Sequence, residues 1–126
     1  MSEPQADIEI EVETQYLENE SELDQSRYVF AYNIRITNHS PMPIKLVSRY
    51  WHITDADEKV QEVNGEGVVG QQPRLEEGQS FQYTSGVILD TPAGIMEGYY
   101  DFVSDLGDVI KAPIPPFTLA NPASLH

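Results

Sequence analysis

The segment DIEIEVE alternates Ile8, Ile10 and Val12 with Asp7, Glu9, Glu11 and Glu13. Alternate side chains of a strand point to opposite faces, so this period of two predicts a half-buried strand with an acidic outer row. The same period runs through RYVFAYNIRITN. There Tyr28, Phe30, Tyr32, Ile34 and Ile36 share one face, and Val29, Ala31, Asn33, Arg35 and Thr37 the other. Its length predicts a central strand. In IKLVSRYWHITD, Val47, Trp51 and Ile53 share the parity expected to face the core. SFQYTSGVIL reads as a further strand. IMEGYYDFVSD sets Tyr100 and Phe102 against Tyr99, Asp101 and Val103. The prolines of VIKAPIPPFTLA predict an edge or irregular strand, because proline cannot donate to the ladder.

Turn chemistry separates these runs. HSPMP, PRLEEGQ, DTPAG and LGD are breaks, and TDADEK reads as a hairpin turn. Asn64-Gly65 is a two-residue hairpin signal flanked by EKVQEV and VVG. Residues 18–26 form a polar, acidic loop and residues 119–126 a C-terminal tail. No window keeps a helical period. The expectation is a single all-β domain over residues 1–126, a β-sandwich of roughly seven or more strands. Trp51, Phe30, Ile34 and Phe102 are expected in its core.

Composition narrows the function classes. At 126 residues the chain is large enough for one hydrophobic core without staples. It has no cysteine, which excludes disulfides, thiolate metal sites and cysteine nucleophiles. The formal net charge is -14. Nine of the 21 acids lie between Glu3 and Asp24, a stretch without a base. A field of this sign repels phosphate backbones and anionic membranes, so neither nucleic acid nor membrane is an expected partner. The N-terminal residues lack a basic region and an apolar region, and no apolar run reaches transmembrane length. A cytoplasmic protein is expected. The sequon at Asn38-His39-Ser40 is followed by Pro41 and reads as chance.

The candidate chemistry is sparse. Gly65-Glu66-Gly67-Val68-Val69-Gly70 fits G-x-G-x-x-G, the spacing that cradles a pyrophosphate between a strand and a helix. Here Gly70 is followed by Gln71, Gln72 and Pro73, and no helical stripe continues. Asp90 lies where the fingerprint wants a ribose-binding acid, a cheap coincidence in so acidic a chain. The structural reading puts a positive-φ turn at Asn64-Gly65, a bulge at Gly67 and an exit at Gly70. The remaining anion-binding candidates are Gly65, Gly67, Gly70 and Arg74. Asp55, Asp57 and Glu66 match positions of a calcium loop. Lys59 and Val60, however, stand where an oxygen ligand and a glycine are required. The three histidines, His39, His52 and His126, are scattered. Ser85 and His52 lack any nucleophile-elbow context. No catalytic, metal or cofactor site is expected.

The stretches YVFAYNIRITN, RYWHITDA, EVNGEGVVGQQPRLEEGQSFQYTSG, TPAGIMEGYYDF and IPPFTL, from Tyr28 to Leu119, resemble the bacterial ApaG family. They are also similar to segments of a eukaryotic F-box protein and a polymerase-delta-interacting protein. The resemblance implies an immunoglobulin- or fibronectin-III-like sandwich, a link to cobalt and magnesium efflux or tolerance, and no established catalytic residues. The family usually has histidine where this chain has Tyr50. The resulting expectation is a non-enzymatic module that binds a protein partner. The alternative is a small-anion (pyrophosphate or nucleotide) binder using the glycine loop.

Overall fold

Residues 7–122 are described by a computed structural model. Eight strands follow in order: β1 (Ile8–Tyr16), β2 (Tyr28–Asn38), β3 (Ile44–Asp55), β4 (Val60–Glu66), β5 (Arg74–Leu75), β6 (Ser80–Leu89), β7 (Ala93–Ser104) and β8 (Val109–Ala120). They form two antiparallel sheets. One has the order β1-β2-β6; the other has β4-β3-β7-β8, with β5 paired to the start of β3. Two single 3-10 turns, Glu18–Glu20 and Leu23–Gln25, occupy the acidic loop between β1 and β2. Asn121 continues from β8 and donates its N–H to Pro92 at 2.9 Å. Residues 123–126 of the C-terminal tail lie outside the described residues.

The two inner faces meet in one apolar core, and the alternation assigns most of it. Phe30, Tyr32, Ile34 and Ile36 are buried from β2, with Tyr83, Val87 and Leu89 from β6. Trp51 and Ile53 face them from β3, and Met96, Tyr100 and Phe102 from β7. Trp51 is the hub: its ring makes edge contacts with Tyr32 at 5.4 Å, Phe117 at 5.8 Å and Tyr100 at 6.2 Å. Such edge-to-face pairs match the positive rim of one ring to the negative face of another.

Two bulges modify the period. In β3 the register shifts between Leu46 and Ser48, so Val47 is an added residue opposite β7. Parity therefore reverses there. Ile44 and Leu46 are buried before the bulge and Trp51 and Ile53 after it, while Val47 is only half-buried. The expected core row through Val47 is corrected accordingly. In β8 the shift opposite Met96 and Gly98 falls at Pro115-Pro116. This is an edge strand, where missing N–H donors cost no ladder bond.

The glycine-rich segment departs further from its sequence reading. Asn64 and Gly65 do not turn. They stay in β4, paired with Tyr50 and Arg49 of β3. Positive φ falls instead at Gly67 (62°), Val69 (44°) and Gly70 (79°). The hairpin between β3 and β4 is closed earlier, at TDADEK, as its turn residues predict. The Asp55 amide donates to the Lys59 carbonyl at 3.0 Å, and Glu58 carries a φ of 65°. VVG forms no strand; Val68 is buried and bridges Gln71 alone.

The sandwich has two long sides. On one, β1 packs beside β8. On the other, the free edges of β4 and β6 leave a cleft between the sheets.

Candidate functional site

Three of the five amides of the loop Gly67–Gln71 are engaged by backbone carbonyls. Gly67 N–H donates to the Val47 carbonyl at 2.7 Å, Val68 N–H to Gln71 at 2.8 Å and Gln71 N–H to Val68 at 2.9 Å. A pyrophosphate cradle needs such donors free and aimed at one point. A side chain at Gly67 would collide with the Gln71 carbonyl, so its glycine serves a tight turn. Arg74 is not in this loop's service. It sits in β5 opposite Lys45, with Nη2 on Asp105 Oδ2 at 2.5 Å. Asp90 is engaged by Lys59 Nζ at 2.7 Å. The structure thus keeps Gly65, Gly67 and Gly70 on one stretch and turns Arg74 toward an acid elsewhere.

The cation beside the glycines is Arg49, which the motif reading missed. Arg49 Nη1 donates to the Gly67 carbonyl at 2.8 Å and the Glu66 carbonyl at 3.3 Å. Its guanidinium lies on Gly65, where an added Cβ would meet Nη1, Cζ and Nη2 at 2.6–2.8 Å. The first glycine of GEGVVG therefore makes room for a side chain from the neighbouring strand. Nothing in the spacing of the motif could have revealed this, because Arg49 and Gly65 meet only through the β3–β4 register.

Arg49 lines the inter-sheet cleft, about 490 Å³ in volume, together with Tyr32, Trp51, Gln61, Val63, Ser85 and Ile88. Gln61 Nε2 spans it to the Ile88 carbonyl at 3.3 Å. Tyr32 is buried there. Burial raises its phenol pKa, opposed by a hydrogen bond with Ser85 and the charge of Arg49. Deeper in, the hydroxyls of Tyr83 and Tyr100 bond to each other, and burial pushes both pKa values up. These phenols are neutral near pH 7, and in the Tyr83–Tyr100 bond one hydroxyl donates and the other accepts.

The second candidate surface is the outer face of the five-stranded sheet. Tyr50 of β3 and Tyr99 of β7 are register partners and stack at 5.0 Å. Lys111 Nζ sits 3.8 Å from the Tyr99 centroid, within cation–π range. Tyr50 donates its hydroxyl to Glu62 Oε2 at 2.7 Å, and that bond is the main reason its pKa is raised. His52 stands between Glu62 of β4 and Glu97 of β7 in register. Tyr50, His52, Glu97, Gly98 and Tyr99 line a shallow depression of about 320 Å³. Residues on this face alternate as strand residues should, but the aromatic pair is outside the core.

The remaining candidates separate. His52 lines the outer depression and Ser85 the inner cleft, so they share no site. His39 Nε2 lies 2.7 Å from Glu9 Oε1, and this hydrogen bond raises its pKa. Asp55 Oδ1 accepts from the amides of Asp57 and Lys59 at 2.8 and 3.0 Å, which closes the turn rather than opening a calcium loop. Among the described residues, no group of three or more histidine, aspartate or glutamate side chains is placed to hold a metal ion.

Fold and surface define a small antiparallel β-sandwich with an inter-sheet cleft on one side and an aromatic outer face. A model of the ApaG domain matches residues 18–104. Protein ApaG of Xanthomonas campestris pv. campestris is 49% identical over 123 residues, covering 98% of this chain and 97% of that protein. Protein ApaG of Xylella fastidiosa shows the same 49% identity and coverage. The crystal structure of a Bordetella pertussis protein, provisionally named ApaA, superposes with a TM-score of 0.91 at 47% identity, covering 94% of this chain and 96% of its own. The chain belongs to the ApaG family.

Proposed function

We propose that this chain is a non-enzymatic, cytoplasmic binding module that recognises a basic segment of a protein partner on the outer face of its five-stranded sheet. The observation that carries the reading is the Tyr50–Tyr99 stack, set outside the core and flanked by Glu62 and Glu97. Aromatic rings at an accessible surface supply contact area at low entropic cost, and arginine or lysine stacks on them. Flanking carboxylates add charge complementarity, and the overall charge of -14 speeds the approach of a basic partner. Lys111 over Tyr99 is a cation–π contact that this face already makes with its own chain.

The link to cobalt and magnesium efflux implied by the family resemblance enters the proposal as an indirect one. No helix among the described residues is long and apolar enough to cross a membrane. An influence on metal transport would act through the bound protein.

Affinity capture with tagged protein from its own host's cytosol tests the reading. The comparison bait carries Tyr50→Ser and Tyr99→Ser. The expected result is a partner retained by the native face and lost from the variant, with salt weakening the retained complex. A partner held equally by both baits would move the interface elsewhere.

A further inference from the structure

The inter-sheet cleft takes no part in that reading, yet it combines apolar walls with a cation and two hydroxyl-bearing side chains. Its rims are the free edges of β4 and β6. Val29, Trp51, Ile53, Val63, Val87 and Ile88 make its walls apolar. Into this apolar frame the fold brings one cation, Arg49, and the hydroxyl-bearing side chains of Tyr32 and Ser85.

Arg49 is held without being neutralised. Backbone carbonyls of Glu66 and Gly67 take Nη1, and Gly65 supplies the space for the guanidinium. Among the described residues no carboxylate forms an ion pair with it, although acids outnumber bases 21 to 7 in the chain. A half-buried charge whose partners are neutral dipoles is stabilised further by a counter-charge. The planar fork of a guanidinium matches a carboxylate through two parallel hydrogen bonds. In the same wall, the Trp51 indole N–H is buried and has no acceptor among the described residues. Burial keeps Tyr32 protonated, so its hydroxyl is a donor rather than a competing anion. A polyphosphate is the poorer fit. It needs more than one cation, and each added negative charge works against a field of -14.

We propose that the cleft binds a monocarboxylate carried on an apolar body. Arg49 grips the carboxylate, and the walls from Val29 to Ile88 take the body. Two of the three glycines that mimic a nucleotide fingerprint then serve an anion indirectly, Gly65 by leaving room for an arginine from the next strand and Gly67 by accepting its hydrogen bond. A cleft of about 490 Å³ is in the size range of sites for small organic molecules. The carboxylate can come from a free small molecule or from the C-terminus of a peptide ending in an apolar residue.

The test is a titration of the full-length, isotope-labelled protein followed by NMR at constant ionic strength. The probes are phenylacetate, phenylacetamide, acetate and inorganic phosphate. Phenylacetate is expected to give saturable shifts at Arg49, the Trp51 indole, Val63 and Ser85–Ile88, with a Kd of about 1 mM or below. The other three probes are expected to bind at least about tenfold more weakly, since each lacks the body or the matching charge. Arg49→Gln should remove saturation, and Arg49→Lys should weaken binding about tenfold by losing the planar fork. If Arg49→Gln fails to fold, the Arg49 Nε–H resonance of the native protein decides; it must move with phenylacetate. An apolar tetrapeptide with a free or an amidated C-terminus separates the two sources. Free-terminus binding stronger than that of phenylacetate assigns the site to a chain end, and the reverse assigns it to a small molecule. Absence of saturable shifts, equal binding of phenylacetamide, or full affinity in Arg49→Lys and Arg49→Gln would overturn the proposal. The Tyr50→Ser/Tyr99→Ser variant should bind phenylacetate normally, which separates this test from that of the outer face.

Discussion

The two sheets present very different outer faces. On the three-stranded sheet the middle of the outward row is polar: Glu9, Glu11 and Glu13 of β1, Asn33 and Arg35 of β2, and Gln82 and Thr84 of β6, with Ala31 and the exposed Ile88 sharing its parity toward the β2–β6 end. Short side chains tie the strands together, with Asn33 Nδ2 donating to Thr84 Oγ1 at 2.7 Å and Gln82 Nε2 to Asn33 Oδ1 at 2.8 Å. On the five-stranded sheet the outward row is Tyr50, His52, Glu97, Tyr99 and Lys111. The first face does what water asks of a half-buried sheet. The second keeps large rings where solvation does not require them. Its rings are the better candidates for recognition, because a half-buried aromatic pair outside the core leaves apolar surface that a partner can cover.

The inner faces lack this asymmetry, and the largest expected effect lies there. Phe30 is 1% exposed and packs 5.3 Å from the Tyr16 ring. Phe30→Ala should cost about 3–5 kcal/mol in urea unfolding. An unchanged melting temperature would remove Phe30 from the core.

A glycine in each sheet sharpens the contrast. Gly98 lets β7 approach β3 so closely that an added Cβ would overlap the Tyr50 carbonyl. Gly86 on β6 has only Phe30 O near, at 3.5 Å, an ordinary contact. Gly98→Ala should therefore cost about 1–3 kcal/mol or more, since backbone must shift. Gly86→Ala should stay within about 0.5 kcal/mol of the native protein. Equal losses in denaturant titrations of the two variants would break the distinction between the sheets.

A smaller effect tests the aromatic face itself. Lys111→Gln removes the cation over Tyr99 and should cost about 0.5–1 kcal/mol, the range of exposed cation–π contacts. The ring-current shift on the Lys111 side chain of the native protein is the independent check.

The smallest effect is on the polar sheet. His39 is exposed, and the Glu9 hydrogen bond raises its pKa above the ordinary 6.5. Folding thus favours the protonated imidazole. The contribution is fully present below about pH 6.5 and is lost as pH rises through the folded value. NMR titration should place the His39 midpoint above 6.5 in the native protein and lower it in Glu9→Gln. An identical midpoint in both would remove the Glu9 contact as the cause.

The fold was legible where one residue pattern has one outcome. Period two placed Phe30, Ile34, Trp51 and Phe102 inside, since a strand between water and a core can satisfy both only by alternating. TDADEK closed its turn because Asp55 carries the acceptor that caps it. The proline-rich β8 took an edge, where the missing donors cost nothing.

What tertiary structure decided lay in pairings between distant residues. Asn64-Gly65 has the chemistry of a tight turn, but the ladder to Tyr50 and Arg49 keeps it extended, so the turn moves to Gly67–Gly70. A local preference of about 1 kcal/mol per position yields to several ladder bonds formed together. The bulge at Val47 follows from the spacing of β7 against β3, which no single-strand pattern contains. The guanidinium of Arg49 rests on Gly65 for the same reason, because a cross-strand neighbour is chosen by register and not by sequence spacing. The cleft it lines joins residues from Val29 to Ile88, and it exists only because two free edges from different sheets face each other.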